Sequence, residues 1–229
     1  MIAVIGDVHG CFNTLRELVE RIKNNYPGAQ LYCVGDLVDR GKFSFESIDF
    51  VINQGIITTS GNHDFMFYYF ITDPDNDIGK NWKFNGYENT LASYSDKQDK
   101  IVEHLNFIIN LPLYINLNDC FISHAGISSN LKKYFADNPL RDVHKFDLVI
   151  KQNINNEHGI IWNREELLDL GKLQVVGHTR QENVNHLKFN NTAYIDTSVY
   201  TGNKLSAVII EDGKIVDTLY VKTFPIDIE

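Results

Sequence analysis

Short apolar runs alternate along the first sixty residues with stretches whose apolar positions recur every three or four, and a polar, glycine-bearing cluster closes each run. Met1 to Ile5 predicts a strand that ends at Gly6-Asp7. Leu15, Leu18, Val19 and Ile22 then take the i, i+3, i+4, i+7 spacing of one helix face. That helix is expected from about Asn13 until Asn25-Tyr26-Pro27-Gly28 breaks it. Leu31 to Val34 predicts a second strand, ending at Gly35-Asp36; Phe45, Ile48 and Ile52 predict a second helix. Ile56 to Thr59 predicts a third strand, ending at Gly61-Asn62-His63. Phe65 to Leu111 is aromatic and mostly helical in pattern, with a polar stretch from Asp73 to Asn81. Pro112 to Ile127 predicts a hairpin turning at Asn118-Asp119, its second strand running into His124. Asn130 to Leu173 mixes helix and loop, and Gln174 to Val176 is a strand leading into Gly177-His178. Leu205 to Ile210 and Lys214 to Val221 flank Asp212-Gly213, a strong hairpin signal. The alternation predicts an α/β fold. In open α/β sheets ligands bind at the carboxyl ends of strands, where these polar clusters fall. No repeat, low-complexity tract or linker divides the chain, and clusters come from both halves, so residues 1–229 are expected to form one domain.

The clusters share a chemistry. They are Gly6-Asp7-Val8-His9-Gly10, Gly35-Asp36-Leu37-Val38-Asp39-Arg40-Gly41, Gly61-Asn62-His63-Asp64, His124-Ala125-Gly126 and Gly177-His178-Thr179. Each places a carboxylate, imidazole or amide oxygen beside glycine, which makes tight turns at little steric cost. Asp7 and His9, two apart on an extended strand end, project to one side and can share one ion. Asp36 can give its two oxygens to two ions, while Asn62 offers a neutral oxygen and His124 and His178 offer imidazole nitrogen. This mixture suits Mn²⁺ first, with Fe or Zn²⁺ as alternatives, better than Ca²⁺, which prefers oxygen alone. Two such ions about 3.5–4 Å apart stabilise the attacking and leaving oxygens of an in-line displacement at phosphorus.

Composition narrows the partners. Hydrophobic content of 43% with 22% charged residues is that of an ordinary globular protein. A formal charge of −9 and scattered Lys and Arg argue against a nucleic-acid backbone as ligand. Three cysteines, Cys11, Cys33 and Cys120, are odd in number and far apart, which predicts reduced thiols and not a disulfide framework. Asp7 interrupts the apolar start, so no secretory leader is expected, and no apolar run nears the ~18 residues of a membrane span. The expected location is cytoplasmic, with no membrane partner.

Together the five blocks resemble the PPP-type serine/threonine phosphatases of the calcineurin-like metallophosphoesterase superfamily, especially the small bacterial and lambda-phage protein phosphatases. The resemblance runs from Gly6 to Thr179. It implies two packed mixed β-sheets flanked by helices, a four-layer αββα fold. It also implies that Asp7, His9 and Asp36 hold a first metal, and that Asp36, Asn62, His124 and His178 hold a second. His63 corresponds to the general acid and Asp39 to the carboxylate that orients it. Arg40 and Arg164, the latter in Trp162-Asn163-Arg164, correspond to a phosphate clamp. The implied reaction is hydrolysis of phosphoserine or phosphothreonine, in a phosphoprotein or phosphopeptide partner, by a metal-activated water. Asp39-Arg40, Thr179 and the Trp162 block favour that substrate. Asp64, where those phosphatases usually carry Glu, and Ile195-Asp196-Thr197 resemble the diadenosine tetraphosphatase branch instead, so the alternative is a dinucleoside polyphosphate hydrolase. A non-catalytic metal-binding module would have lost a ligand or the acid, and none is missing.

Blander origins compete for some residues. Arg40 could pair with Asp39 on a surface, and a helix starting at Asn163-Arg164-Glu165-Glu166 would explain Arg164 without phosphate. His104, His144, His158 and His186 belong to no block and are expected at the surface or hydrogen-bonded in the core. Gly35 to Lys42 is not a P-loop, having five residues between glycines and Phe43 where Ser or Thr is required. Asp73-x-Asp75-x-Asp77 is not a calcium loop, since Ile78 and Phe84 stand where Gly and Glu are required. No cysteine is followed by the arginine of a cysteine-phosphatase cradle.

Overall fold

The computed structural model describes residues 1–135 and 138–229. Strands β1 (Ile2–Ile5), β2 (Gln30–Cys33) and β3 (Ile57–Thr58) pair in parallel. Strands β9 (Lys204–Glu211) and β10 (Lys214–Lys222) extend the β1 edge antiparallel, giving the order β10-β9-β1-β2-β3. A second sheet has the order β4-β5-β6-β8-β7, from β4 (Tyr114–Asn116), β5 (Cys120–Ser123), β6 (Leu173–Val176), β7 (Asn185–Leu187) and β8 (Thr192–Tyr194). Here β5, β6 and β8 run parallel and the two edge strands antiparallel.

The twofold alternation of β1 assigns its faces. Ile2 and Val4 pack between the sheets with Val34, Cys120, Ile122, Val175, Val208 and Ile210, whereas Ala3 and Ile5 face helices. A strand covered on both faces is apolar throughout, which is why Met1 to Ile5 reads as an unbroken run. Over the first sheet lie α1 (Phe12–Asn25), α2 (Ser44–Asn53), α3 (Asn62–Thr72) and α6 (Ile101–Ile109), anchored by Leu15, Leu18, Ile22, Ile48, Phe67 and Ile108. Each such aliphatic side chain contributes about 1.5–3 kcal/mol by leaving water. Over the second sheet α7 (Val143–Asn153) sets Phe146, Val149 and Ile150 against Phe121. The layers are helix, sheet, sheet, helix, as expected.

Local differences from the sequence reading have physical causes. The third strand is only two residues long, and Asn62 and His63 open helix α3 instead of ending a strand. Asp64 makes that possible by capping the turn from its third position, accepting from the Gly61 N–H at 3.0 Å. The polar stretch at Asp73 to Asn81 contains the short helix α4 (Asp77–Asn81), whose Asn76 cap accepts from the Ile78 N–H at 2.9 Å. A further short helix, α5 (Glu88–Ser93), follows. No helix starts at Asn163, so that account of Arg164 falls away. Buried Asp227 accepts from the main-chain N–H groups of Asn13 (3.0 Å) and Thr14 (2.9 Å), fastening the C-terminal segment to the start of α1. All three cysteines are buried and free. Among the described residues no helix is long and apolar enough to cross a membrane.

Candidate metal centre

Because β1, β2 and β3 run parallel, as do β5 and β6, their C-terminal ends open toward one side. Asp7 and His9 follow β1, Asp36 follows β2, His124 follows β5 and His178 follows β6, while Asn62 and His63 lie in the first turn of α3. The backbone there is unusual. His9 (φ 45°), Asp36 (φ 50°), Asp39 (φ 73°), Arg40 (φ 71°) and His178 (φ 60°) all adopt the left-handed region. That conformation costs about 1–2 kcal/mol per residue, and such strain gathers at functional sites. Two glycines serve differently from the turn-making expected of them. Gly61 and Gly177 have ordinary φ, but a Cβ on either would strike the carboxylate of Asp36 or of Asp7, respectively.

Asp36 stands at the middle. Its Oδ2 lies 3.6 Å from His9 Nε2 and its Oδ1 3.4 Å from His124 Nε2. Two sets of potential ligand atoms, His9-Asp36-His63 and Asp7-Asp36-His124, each lie within 4.8 Å of one another and share this carboxylate. His9 donates Nδ1–H to Val38 O (3.0 Å) and His124 donates Nδ1–H to Val34 O (3.0 Å), so both Nε2 lone pairs turn inward. His124 Nε2 also lies 2.9 Å from Asn62 Oδ1. His178 donates Nε2–H to Trp162 O (3.2 Å), which leaves Nδ1 as its lone pair, and its main-chain N–H reaches Asp7 Oδ2 at 3.0 Å. His124 Nε2 and Asn62 Oδ1, two lone-pair atoms facing one another with no proton between them, fit a divalent cation.

The electrostatics agree. Burial raises the Asp36 carboxyl, while positive charge on the surrounding imidazoles of His124, His63, His9 and His178, whenever they carry it, pulls it well below the usual range. Burial, with the Asp196 and Asp36 carboxylates beside it, pushes Asp7 well up. Burial holds His9 and His178 well below the ordinary histidine value and lowers His124, so the imidazoles are in the neutral, metal-binding form. A crowd of buried carboxylates and neutral imidazoles is what cations relieve.

A second assembly adjoins the first. His63 donates Nδ1–H to Asp39 Oδ2 at 2.5 Å. Asp39 is wholly buried and also accepts from Trp82 Nε1 (2.8 Å) and Thr90 Oγ1 (2.8 Å). Burial raises the Asp39 carboxyl, and these three donors pull against it. Half-buried Arg40 donates to His9 Nε2 at 2.7 Å and to His63 Nε2 at 2.9 Å. Arg40 is therefore not a surface partner of Asp39. Exposed Arg164 donates to His178 O at 3.3 Å on the far side of the cluster. Asp64, pushed up to about 7 by burial and by Asp36, clamps the Gly61 and Leu37 N–H groups and does not reach outward. His104 is a core residue bonded to Tyr94 OH (2.7 Å), and His158 and His186 make surface contacts with Glu165 and Asn191.

Sequence reasoning missed Trp82, Thr90, Tyr200 and Arg180. The first two hold Asp39. The Tyr200 ring meets His9 edge-on at 5.0 Å and carries the Arg40 guanidinium 4.2 Å above its centroid. Trp82 lies in a tract dense in aromatic residues, where nothing distinguishes an indole that donates to a carboxylate from one that only packs.

Comparison with known proteins decides the lineage. The calcineurin-like phosphoesterase family matches residues 1–208. The chain is 30% identical over 232 residues to a bis(5'-nucleosyl)-tetraphosphatase, PrpE [asymmetrical], of Anoxybacillus flavithermus (strain DSM 21510 / WK1), covering 90% of this chain and 88% of that one. It is 30% identical over 125 residues to a symmetrical bis(5'-nucleosyl)-tetraphosphatase of Dechloromonas aromatica (strain RCB), covering 54% of this chain and 42% of the relative. A solved structure provisionally described as a diadenosine tetraphosphatase shares the fold, with a TM-score of 0.63 at 19% identity over 98% of this chain and 94% of that one.

These relatives overturn the expected phosphoprotein or phosphopeptide partner, because their names specify dinucleoside tetraphosphates. The features that favoured it have a physical reason for misleading. Asp39 acts on His63, the Trp162 carbonyl acts on His178, and the Thr179 N–H turns back to Gly177 O at 2.6 Å. They build the common centre. The strand ends that gather candidate ligands, the shared Asp36 and the match over residues 1–208 lead to one conclusion: the chain belongs to the calcineurin-like phosphoesterases, a family of metallophosphoesterase hydrolases.

Proposed function

We propose that this chain, working as one catalytic domain, hydrolyses dinucleoside polyphosphates, with diadenosine tetraphosphate as the reference substrate. The observation that carries the substrate class is the near-full-length likeness to a relative named bis(5'-nucleosyl)-tetraphosphatase [asymmetrical]. Two residues support it. Asp64 and buried Asp196 give this chain the diadenosine-branch features noted in the sequence, both built into the centre's framework.

Asp7, His9 and Asp36 would hold one divalent ion, and Asp36, Asn62, His124 and His178 a second, with Mn²⁺ the best fit and Fe or Zn²⁺ next. Such ions supply Lewis-acid activation of water and charge neutralisation at phosphorus. The chain's own residues do the rest. His63, its Nδ1–H committed to Asp39, presents Nε2 as the atom that carries a proton to the leaving oxygen. Asp39 fixes that tautomer and stabilises the imidazolium. Arg40 N–H groups that donate to His9 and His63 have phosphoryl oxygens as alternative acceptors, and Arg164 offers a planar fork from the opposite side. Water oxygen bonds to phosphorus and releases one proton to solvent, the anhydride P–O bond breaks, and the departing nucleotide oxygen takes the Nε2 proton of protonated His63, which solvent restores.

The test is kcat/KM with Mn²⁺ for diadenosine tetraphosphate, p-nitrophenyl phosphate and a phosphoserine peptide. The dinucleotide is expected to lead by at least about tenfold, or about 1.4 kcal/mol in transition-state stabilisation. A peptide that matches or exceeds it refutes the assignment.

A further inference from the structure

Three of the chain's six arginines, Arg40, Arg164 and Arg180, surround a centre whose protein carries a net −9. Among the described residues none of the three forms a salt bridge. Arg40 and Arg164 contact the residues that would bind metal. Exposed Arg180 does not. Its Nη1 donates to Tyr200 OH at 3.1 Å, at the end of the ring whose face carries Arg40. Arg180 therefore stands at the hydroxyl of a ring whose centroid lies 5.0 Å from that of His9.

The framework beneath this arginine is fixed. Asp196 accepts the Ser198 N–H on Oδ1 (2.9 Å) and the Gln181 N–H on its carbonyl (2.8 Å). One buried residue thus pins both the segment carrying Arg180 and the short turn Val199–Thr201 carrying Tyr200. Ser198 enters that turn at φ 57° and Gly202 leaves it at φ 87°, so the turn is defined at both ends. Burial pushes the Asp196 carboxyl up, and Arg40 and Arg180 both pull against it, as their positions on one side of the site require.

We propose that Arg180, steered by the Tyr200 hydroxyl, binds a phosphoryl group beyond the reacting one and thereby selects substrates with a chain of phosphates over monoesters. The inference rests on the dinucleoside polyphosphate reading for its biological meaning. A monoester has one phosphoryl group, held at the centre, and leaves Arg180 without a partner. A tetraphosphate has groups that extend past Arg40, and each needs a counter-charge.

The experiment compares manganese-loaded wild type, Arg180→Gln, Arg180→Lys and Tyr200→Phe. It measures kcat/KM for diadenosine tetraphosphate and p-nitrophenyl phosphate, and calorimetric Kd values for inorganic tripolyphosphate and orthophosphate. Loss of one exposed charge-assisted hydrogen bond is expected to lower the dinucleotide-to-monoester ratio about tenfold in Arg180→Gln, through KM. The tripolyphosphate-to-orthophosphate affinity ratio should fall by a similar factor. Lysine should recover part of both ratios, since it keeps the charge but not the fork. Tyr200→Phe should shift both in the same direction by less. Equal losses on both substrates, or ratios unmoved in a folded Arg180→Gln protein, overturn the assignment. A wild type without dinucleotide turnover defeats the functional reading instead, and the tripolyphosphate titrations then still decide whether Arg180 binds an outer phosphate.

Discussion

Replacing Trp82 by phenylalanine removes one N–H group and leaves most of a buried ring in place. That N–H is one of three donors on the Asp39 carboxylate, the others being His63 Nδ1 and Thr90 Oγ1. Trp82 is fully buried among Phe67 (5.2 Å between centroids), Phe70 (4.9 Å) and Tyr87 (5.4 Å), so the new ring stays packed and water does not readily replace the donor. A hydrogen bond to a charged group contributes about 1.5–3 kcal/mol, and the lost part of the indole adds a small cavity. A destabilisation of about 3 kcal/mol is expected, or a fall in Tm of roughly 6–12 °C for a chain of this size. The kinetic consequence is separable from the structural one. Burial already raises the Asp39 carboxyl, so losing a donor raises it further. If Asp39 acts ionised, the acid limb of the pH–rate profile moves to higher pH. The looser dyad should also cost about tenfold in turnover of phenyl phosphate, a small part of the ~10²–10⁴ that general acid catalysis supplies. p-Nitrophenyl phosphate, with its better leaving group, should lose less. Differential scanning calorimetry and pH-dependent kinetics on the two esters check this. An acid limb and a leaving-group dependence both unmoved, whatever happens to Tm, would refute the role given to Asp39.

Asp36→Asn should lose metal stoichiometry and nearly all activity together, because Asp36 is the carboxylate common to both groups of potential ligand atoms; elemental analysis showing two ions bound at wild-type affinity counts against the sharing. His63→Asn should keep its metals and slow phenyl phosphate more than p-nitrophenyl phosphate. Diadenosine tetraphosphate should resemble the latter, since a departing phosphate needs less protonation than a phenolate; equal losses on all three substrates would remove His63 from the acid role. His104, buried against Tyr94 and Phe45, has its pKa lowered by burial, so the unfolded state binds the extra proton first. Stability should therefore fall as pH drops from about 6.5 toward the folded-state value, and urea melts of His104→Gln should show a shallower slope than wild type, the other buried histidines still contributing.

The strands and helices that carry the site were legible because burial on both faces makes β1 a continuous apolar run and burial on one face gives α1 its fourfold spacing. The polar clusters that converge on Asp36 were legible because glycine stands beside them in the sequence. The reason at Gly61 and Gly177 is clearance for a carboxylate, which spacing alone does not reveal. The hairpin of β7 and β8 was not legible, being two strands of three residues with exposed Asn185 and His186 in one of them. Nor was the approach of Arg40 to His9, of Arg164 to His178 and of Arg180 to Tyr200, since these residues are scattered in sequence and are brought together only by the fold. The substrate was misread for a separate reason. Asp39 and the main-chain atoms of Trp162 and Thr179 bond within the shared centre, so their presence does not report on the group that leaves.

The most direct test of the central claim is to incubate diadenosine tetraphosphate with the manganese-loaded protein and separate the products by ion-exchange chromatography, with Asp36→Asn in parallel. Equimolar AMP and ATP from the wild type and no products from the variant are predicted, the asymmetric cleavage named for the near-full-length relative. An intact dinucleotide after exhaustive incubation with wild type, or equal turnover by the variant, would contradict it.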